Sequence, residues 1–596
     1  MEKVKGYIRK NFPLFLMLIQ TLILTKMLIA PKTDLMTYFI NSGMTLLLMA
    51  VLILLPIGYV AASIIETVVI FAFYYINEFL MNVRMRPLNY MDFFCIKDAA
   101  NVKGSYSVVI TLSIVIKLIV SLLITAAVCF LVIKFYKKPE KKYTKPVSAL
   151  AAGVLAFGML IFYNVLGYFD GDPLIWDENE YMKNNGLFFS LYNEYQNSKV
   201  IPPDGYSSKK AISYLEKYPT VAAESKTPTN IIVIMDEAFA DYSLIGDNGI
   251  KEDPLKAIRT LEGNFKEGKL AVDVYGGSTC NSEFEFLTGC SLAFLPQNDI
   301  PYIRHDLSGL SSMGNDLKGL GYKSVPIHPY IAAEWRRTTI YPNWFTEDFI
   351  SGEEFGDGDA DGDYDDIFEQ NKYVNFGDGL EYIRHYISDA ESFRKVAEEM
   401  TKFNSQNDKS FIFNITMQNH GGYDADKIGD LKVKDFSDDE SLNIYLTLSE
   451  YTSEAYVDLI HSLEDYSEPT VVLMFGDHQP GLSTFTPRSD EKQESLLERT
   501  SNKYIVPYML WSNYDIDWDI PDFLSINYLS AVLKKNCGLE LTPFDSMRLK
   551  AMEEYPVLTY LFSVNKDGKF VETDTAKQSD IIKEYEMIQY YKMFDN

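Results

Sequence analysis

Long apolar runs crowd the first part of this chain, and shorter ones recur at wider spacing through the rest. Asn11 to Ala30 is apolar over about the 20 residues that cross a bilayer, with Lys3, Lys5, Arg9 and Lys10 in front of it. Phe39 to Tyr59 and Ala61 to Phe79 follow, joined near Pro56 and Gly58, and Val108 to Phe135 and Val147 to Tyr168 complete five predicted spans. A cleaved leader starts similarly, but the spans that follow make the first run an anchor. Gly167 to Lys226 is polar and rich in Asn, Tyr and Pro, which suits a tether. From Thr227 the pattern becomes strands alternating with helical segments. The runs Asn230 to Met235, Lys269 to Tyr275, Tyr322 to Ile327, Phe411 to Met417, Thr470 to Phe475 and Tyr504 to Leu510 are mostly continuous, as in a parallel sheet covered on both faces. The expected organisation is a multi-span α-helical membrane domain over 1–168, an extracytoplasmic linker over 169–226, and an α/β domain over 227–596 with a mostly parallel central sheet and a C-terminal subdomain.

Charge sharpens this division. Up to Tyr168 there are 17 basic and 7 acidic side chains; beyond it there are 38 and 75, within a net charge of −27. So acidic a domain repels nucleic acid. Lys134, Lys137, Lys138, Lys141, Lys142 and Lys145 lie between the fourth and fifth spans and, with the basic N-terminus, mark the cytoplasmic side. Five spans then deliver the large domain to the outer face of the cell membrane. Met81 to Tyr106 also faces outward on this reading although it carries Arg84, Arg86, Lys97 and Lys103; either Arg84 and Arg86 meet lipid phosphates, or Asn89 to Ala99 is an interfacial helix with ordinary snorkelling cations. Glu66 and Lys117, inside predicted spans, need partners or a wet cavity. The five cysteines include no C-x-x-C pair, so zinc-ribbon and redox motifs are absent, and Cys280 with Cys290 reads either as a disulfide or as two buried thiols. The acidic loop Glu353 to Asp366 begins like a calcium loop at Asp357, Asp359, Asp361 and Gly362, but its twelfth position is Phe368, which favours a solvated loop.

Candidate chemistry gathers at strand ends. Val272 to Gly289 reads as a short strand, a Gly276-Gly277 turn and a helix beginning near Ser278, which places Thr279 at a helix N-terminus. Free N–H groups and the helix dipole there stabilise an alkoxide and hold a phosphate. The plainer alternative is that Ser278 or Thr279 simply caps the helix. Glu237 follows the run ending at Met235, and Asp477-His478 follows the run ending at Phe475. Carboxyl ends of strands in an open α/β sheet converge on one crevice. Two carboxylates, an imidazole and a hydroxyl suit one divalent ion, which would keep the Thr279 oxygen deprotonated. Asp236 competes with Glu237 for the first ligand position.

The whole set resembles the lipoteichoic acid synthase family, membrane phosphoglycerol transferases of the sulfatase and alkaline phosphatase superfamily. Asn230-Ile-Ile-Val-Ile-Met-Asp-Glu237 is similar to its first metal-ligand strand, Gly276-Gly-Ser-Thr279 through Ser282-Glu-Phe to its nucleophile segment, and Phe475-Gly-Asp477-His478-Gln to its closing ligand pair. His328, Trp335 and Arg337 stand at its H-x6-W-x-R spacing, Asn419-His420 follows the strand that carries its pocket histidine, and Tyr585 to Tyr590 resembles its terminal segment. Cys280 and Asn281 after the nucleophile, and Asp236 before the ligand glutamate, depart from its pattern.

The resemblance implies a metal set of Glu237, Thr279, Asp477 and His478 holding Mn²⁺, with Mg²⁺ as substitute. It implies catalysis by Thr279, Arg337 and His420, and substrate binding by His328, Trp335, Arg337 and His420. Thr279 would take glycerol phosphate from phosphatidylglycerol as a covalent intermediate and pass it to a growing polyglycerolphosphate, a glycolipid or another glycan acceptor. A phosphoethanolamine transferase shares the anchor and nucleophile but would carry a richer zinc-type cluster. A sulfatase needs a C/S-x-P-x-R setting that Cys280-Asn-Ser-Glu-Phe lacks. A non-catalytic scaffold predicts a broken position among Glu237, Thr279, Asp477 and His478, and none is broken. A serine hydrolase is set aside because no G-x-S-x-G elbow occurs.

Overall fold

The computed structural model describes residues 2–83, 87–94, 110–136, 153, 178–245, 249–355, 376, 379–425, 428–482 and 495–595. It forms two compact units, Met1–Phe93 with Val108–Lys199 and Phe94–Ser107 with Val200–Asn596. The segment expected to be a linker is thereby divided between them.

The first unit contains α1 (Glu2–Leu24), α2 (Leu35–Leu54), α3 (Gly58–Val83) and α4 (Leu112–Phe135). Within and just beyond these, Phe12–Ile29, Leu35–Leu54, Gly58–Asn82 and Leu112–Phe135 are long and apolar enough to cross a membrane. They overlap the first four predicted spans; the fifth, over 147–168, falls outside the described residues except Gly153. The second begins earlier than predicted because Asp34 caps α2, accepting from Thr37 N at 2.7 Å, and it stops ahead of Pro56. Glu66 and Lys117, the two ionisable residues singled out in the predicted spans, have partners. Glu66 accepts from Thr21 Oγ1 and, at 3.4 Å, from Gln20 Nε2, while Ser63 donates to Gln20 at 2.6 Å. Lys117 Nζ lies 3.1 Å from Tyr74 OH and 4.3 Å from its ring. Hydrogen bonds of this kind hold apolar helices together where water is absent. Of the predicted interfacial helix, Met91–Phe93 forms one 3₁₀ turn and residues 95–99 lie outside the description. Most of the acidic loop over 353–366 does as well.

The second unit is built on an eight-stranded sheet. Its strands are β1 (Asn230–Asp236), β2 (Phe265–Ala271), β3 (Tyr322–His328), β4 (Ile350–Ser351), β7 (Lys409–Ile415), β8 (Thr470–Gly476), β9 (Ile505–Ser512) and β10 (Phe523–Ser525). Between β4 and β7, β5 (Tyr382–Ile383) and β6 (Tyr386–Ile387) form a separate hairpin. The sheet order is β10-β2-β9-β8-β1-β7-β3-β4, and β9 alone runs against its neighbours. All six predicted strands are present. The second differs in position, ending at Ala271 rather than Tyr275, because its partner β9 begins at Ile505, opposite Ala271; Val272 N still donates to Tyr504 O at 2.9 Å, and beyond that bond the chain leaves the sheet. Residues 272–275 do not form the short strand expected before the nucleophile.

Helices α5 (Thr279–Thr288), α6 (Asp389–Ser405), α7 (Glu440–Glu464) and α8 (Ile526–Asn536) pack around the sheet, and α9 (Asp580–Phe594) packs on the helical layer outside it. One core joins Ile232, Ile234, Ile412, Val472 and Met474 of the strands to Phe393 and Val396 of α6 and Ile460 of α7. Helix α5 is buried along its whole length and stacks Phe286 on Phe413 at 5.8 Å and beside Phe475 at 5.1 Å. Its far end is fixed from the C-terminus. Tyr585 OH donates to Gly289 O, and Gln589 pairs with both backbone groups of Ser291 at 2.6 and 2.8 Å. Gly289, at φ +67°, closes the helix where any Cβ would strike Arg548. A short three-stranded sheet, β11 (Val557–Leu558), β12 (Phe562–Val564) and β13 (Phe570–Glu572), completes this C-terminal part. Cys280 and Cys290 are buried free thiols, which resolves the cysteine alternative.

Asp273, before the nucleophile turn, and Glu285, on α5, are fully buried carboxyls that act on one another; each accepts from one backbone N–H, Tyr560 N for Asp273 and Leu292 N for Glu285. Burial pushes Asp273 up to about 7, and burial plus the Asp273 charge raises Glu285 well above the ordinary range. The folded chain therefore keeps protons that the unfolded chain releases near pH ~4, so this pair withdraws stability as pH rises from ~4 through about 7. Thermal unfolding of the full chain between about pH 5 and about pH 8 is expected to show Tm falling with pH, and Glu285→Gln to flatten that fall by several degrees. An identical slope in Glu285→Gln would assign the pH dependence elsewhere.

Candidate metal centre and nucleophile

Strands β1 and β8 lie side by side and parallel, with Asp236 opposite Gly476, so the residues just beyond each strand emerge together at the carboxyl edge. Asp477 N donates to Asp236 O at 3.2 Å and closes that edge. Thr279 reaches it from another direction. Gly276, Gly277 and Ser278 all have positive φ, +67°, +147° and +69°, and Gly276 N donates to Gln479 O at 3.0 Å. Two glycines accept this turn freely; Ser278 adopts it with strain, as residues held at functional sites often do. Ser278 occupies the N-cap without a side-chain hydrogen bond, and Thr279 is the first helical residue. Capping is therefore not what the Ser278 side chain does here.

Thr279 Oγ1 lies 3.1 Å from Glu237 Oε2. His478 Nε2 is 3.6 Å from Glu237 Oε1 and 3.3 Å from Asp477 Oδ2, and ligand atoms of Glu237, Asp477 and His478 fall within 4.8 Å of one another. Each is positioned by backbone. Asp477 Oδ1 accepts from Ala238 N at 2.8 Å and His478 N at 2.7 Å, Thr416 Oγ1 accepts from Glu237 N at 3.0 Å, and Ser282 of α5 donates to Asp477 O at 2.6 Å. His478 Nδ1 sits 2.9 Å from Gln479 O. A carbonyl can only accept, so Nδ1 carries the proton and the Nε2 lone pair faces the carboxylates.

Burial, then the Asp477 charge, holds Glu237 well above the usual carboxylate range, and burial likewise raises Asp477. Asp477 Oδ2 and His478 Nε2 are buried without a hydrogen-bond partner. Two carboxylate oxygens, an imidazole nitrogen and a hydroxyl are a donor set that fits a divalent cation. Asp236, the competing carboxylate, accepts from Asn419 Nδ2 at 3.0 Å and stands outside the cluster.

Of the remaining predicted site residues, Arg337 acts on Glu237, His478 on His420, and Arg337 and His420 on His328. His328 ends β3, with Nδ1 3.1 Å from Ile415 O and Nε2 buried without a partner. Burial and the Arg337 charge keep it neutral, well below the usual range. Arg337 also acts electrostatically on Glu237, which sets His328, Arg337 and the cluster in one locality. Arg337 is only 1% exposed, pairs with Glu283, and leaves Nη1 without a partner. His420 Nδ1 is 3.0 Å from Tyr386 OH; burial, Arg384 and His478 lower it to about 3. Trp335 is half-buried, at φ +53°, two residues before Arg337. Sequence reasoning assigned no role to Glu283, Tyr341, Arg384 or Tyr386. Arg384 Nη2 donates to Gln418 O at 2.7 Å and His420 O at 2.8 Å, so the β5–β6 hairpin braces the His420 loop. A signal for Glu283 existed: it is an acid inside a helix whose neighbours Phe284, Phe286 and Leu287 require burial.

The sulfatase family model matches residues 228–522. A protein of Rhizobium meliloti described as a cyclic beta-1,2-glucan modification protein is 27% identical over 438 residues, 71% of this chain and 64% of its own length. Lipoteichoic acid synthase 1 of Bacillus subtilis is 22% identical over 57% of this chain and 52% of that protein. The chain thus spans less than two thirds of either relative. In fold it is similar to Streptococcus pyogenes phosphoglycerol transferase GacH in complex with sn-glycerol-1-phosphate, at 18% identity and TM-score 0.50, covering 67% of this chain and 96% of that one. The family match, the mostly parallel sheet and the four apolar helices ahead of it agree with the expected fold class. Residues 228–522 of the chain accordingly form a sulfatase-family domain.

Proposed function

We propose that this chain is a membrane-anchored, divalent-metal-dependent transferase that moves glycerol phosphate from phosphatidylglycerol to an acceptor hydroxyl through a covalent phospho-threonine at Thr279. The observation that carries this reading is the 3.1 Å approach of Thr279 Oγ1 to Glu237, beside the unpartnered ligand atoms of Asp477 and His478. Glu237, Asp477, His478 and Thr279 would hold the cation, Mn²⁺ by family resemblance with Mg²⁺ as substitute. Bound there, it supplies Lewis acidity that lowers the pKa of a hydroxyl and neutralises phosphoryl charge.

Thr279 Oγ attacks phosphorus, the bond to the diacylglycerol oxygen breaks, and that oxygen leaves with a proton. An acceptor hydroxyl then displaces Thr279, which regains its proton. Arg337 Nη1 faces developing charge on the phosphoryl oxygens, and the neutral His328 and His420 engage glycerol hydroxyls. The acceptor is a growing polyglycerolphosphate or a glycan; similarity to the rhizobial glucan modification protein favours keeping the glycan reading. The domain works at the outer membrane surface, the side to which the basic loops direct it.

Membranes carrying the full chain, given fluorescent phosphatidylglycerol and Mn²⁺, are expected to release diacylglycerol, and Thr279→Ala to lower that rate by about 10³-fold or more. Equal release by Thr279→Ala, or none by wild type, would contradict the proposed reaction. Elemental analysis is expected to find Mn²⁺ lost from Glu237→Ala and Asp477→Asn but retained in Asp236→Asn. The reverse pattern for residues 236 and 237 would move the ligand role to Asp236.

A further inference from the structure

Glu283 lies four residues after Thr279 on α5, one helical turn along the same face. It is fully buried, and its carboxylate is saturated. Oε1 accepts from Arg337 Nε at 2.9 Å and Nη2 at 2.6 Å; Oε2 accepts from Tyr341 OH and, at 3.4 Å, from Tyr302 OH. Nothing on Glu283 remains to touch a metal or a substrate. Arg337, by contrast, keeps one nitrogen uncommitted: Nη1 is buried without a hydrogen-bond partner, while Nε and Nη2 both donate to Glu283. A guanidinium buried only for stability would be expected to bond all its N–H groups. One edge of Arg337 is clamped, and the free Nη1 is what the clamp leaves for a ligand oxygen.

The pair also has an electrostatic consequence. Arg337 brings +1 to the pocket and Glu283 returns −1 within contact distance, in a setting where both are shielded from water. The arginine thus offers a directed hydrogen-bond donor with little net charge. A phosphodiester bears one negative charge and a phosphomonoester close to two. A directed donor with little net charge serves the first and gains less from the second.

We propose that Glu283 is a positioning residue that orients Arg337 from the nucleophile helix and, by cancelling its charge, sets the pocket's preference for singly charged phosphodiesters over doubly charged phosphomonoesters. This rests on the phosphoglycerol-transfer reading above. It extends that reading by naming the side chain that selects the ester class.

The test is equilibrium binding by calorimetry to the full chain in detergent with Mn²⁺ at about pH 8, using glycerophosphoglycerol as diester, sn-glycerol-1-phosphate as monoester and inorganic phosphate as a headgroup-free dianion. Glu283→Gln is expected to shift the ratio of diester to monoester Kd toward the monoester by about tenfold or more. The double variant Glu283→Gln/Arg337→Met removes both charges and replaces a buried ion pair with neutral groups of similar size, a change folds tolerate. It is expected to bind all three probes more weakly but to return the ratio to the wild-type value, so the proposal remains testable if Glu283→Gln alone does not fold. A ratio unchanged within about twofold in Glu283→Gln, or a double variant whose ratio departs from wild type, would overturn it, because a purely structural role weakens every probe alike. If inorganic phosphate binds while neither glycerol ester does, the headgroup reading fails instead; the role of Glu283 is then decided by phosphate alone, which must bind Glu283→Gln more tightly than wild type.

Discussion

The crowding of two buried carboxylates against one imidazole, Glu237 and Asp477 beside His478, is the constraint on which the second unit depends. Ligand atoms of Glu237, Asp477 and His478 sit within 4.8 Å of one another, shielded from water. Unit charges about 4 Å apart repel by about 4 kcal/mol even at an effective dielectric of about 20. Protonation relieves the repulsion, as the raised pKa values of both acids indicate, but leaves Asp477 Oδ2 and His478 Nε2 without partners. A divalent cation relieves both conditions at once. It would also act on the Thr279 hydroxyl, 3.1 Å from Glu237.

The rest of the second unit serves to hold that arrangement. Parallel pairing of β1 with β8 sets Glu237 beside Asp477, and the backbone N–H groups of Ala238 and His478 fix the Asp477 carboxylate. Helix α5 is held at three levels: the left-handed turn at its start, Phe286 against the sheet in its middle, and Tyr585 and Gln589 from the C-terminal helix at its end. In the proposed reaction, a threonine held this closely loses little entropy on reaching the attacking geometry. The Glu283 clamp makes the same helix responsible for the arginine.

Much of this could be read from the residues. Asn230 to Met235 and Thr470 to Phe475 are unbroken apolar runs because both faces of the central strands are covered, and the ligands follow where each run ends. β2 was harder to place. It lies near the sheet edge, its half-exposed residues blur the alternation, and its end is decided by where β9 begins, some 230 positions away. Asp236 and Glu237 looked equivalent in sequence. Their roles separate only because Asn419 turns inward to one of them. Glu283 gave a weak signal, since a charge in an apolar helix indicates a partner without indicating which. The choice of Arg337 came from the fold.

Together these features support the proposed reaction, in which the Thr279 hydroxyl attacks phosphorus and holds the resulting ester until an acceptor arrives. The most direct measurement is peptide mass spectrometry of the full chain after brief exposure to phosphatidylglycerol and Mn²⁺ without added acceptor. The account predicts a glycerophosphoryl adduct on the peptide spanning Val272 to Gly289, mapped to Thr279 by fragmentation. An adduct on any other residue, or turnover with no trapped ester at Thr279 under single-turnover conditions, would contradict it.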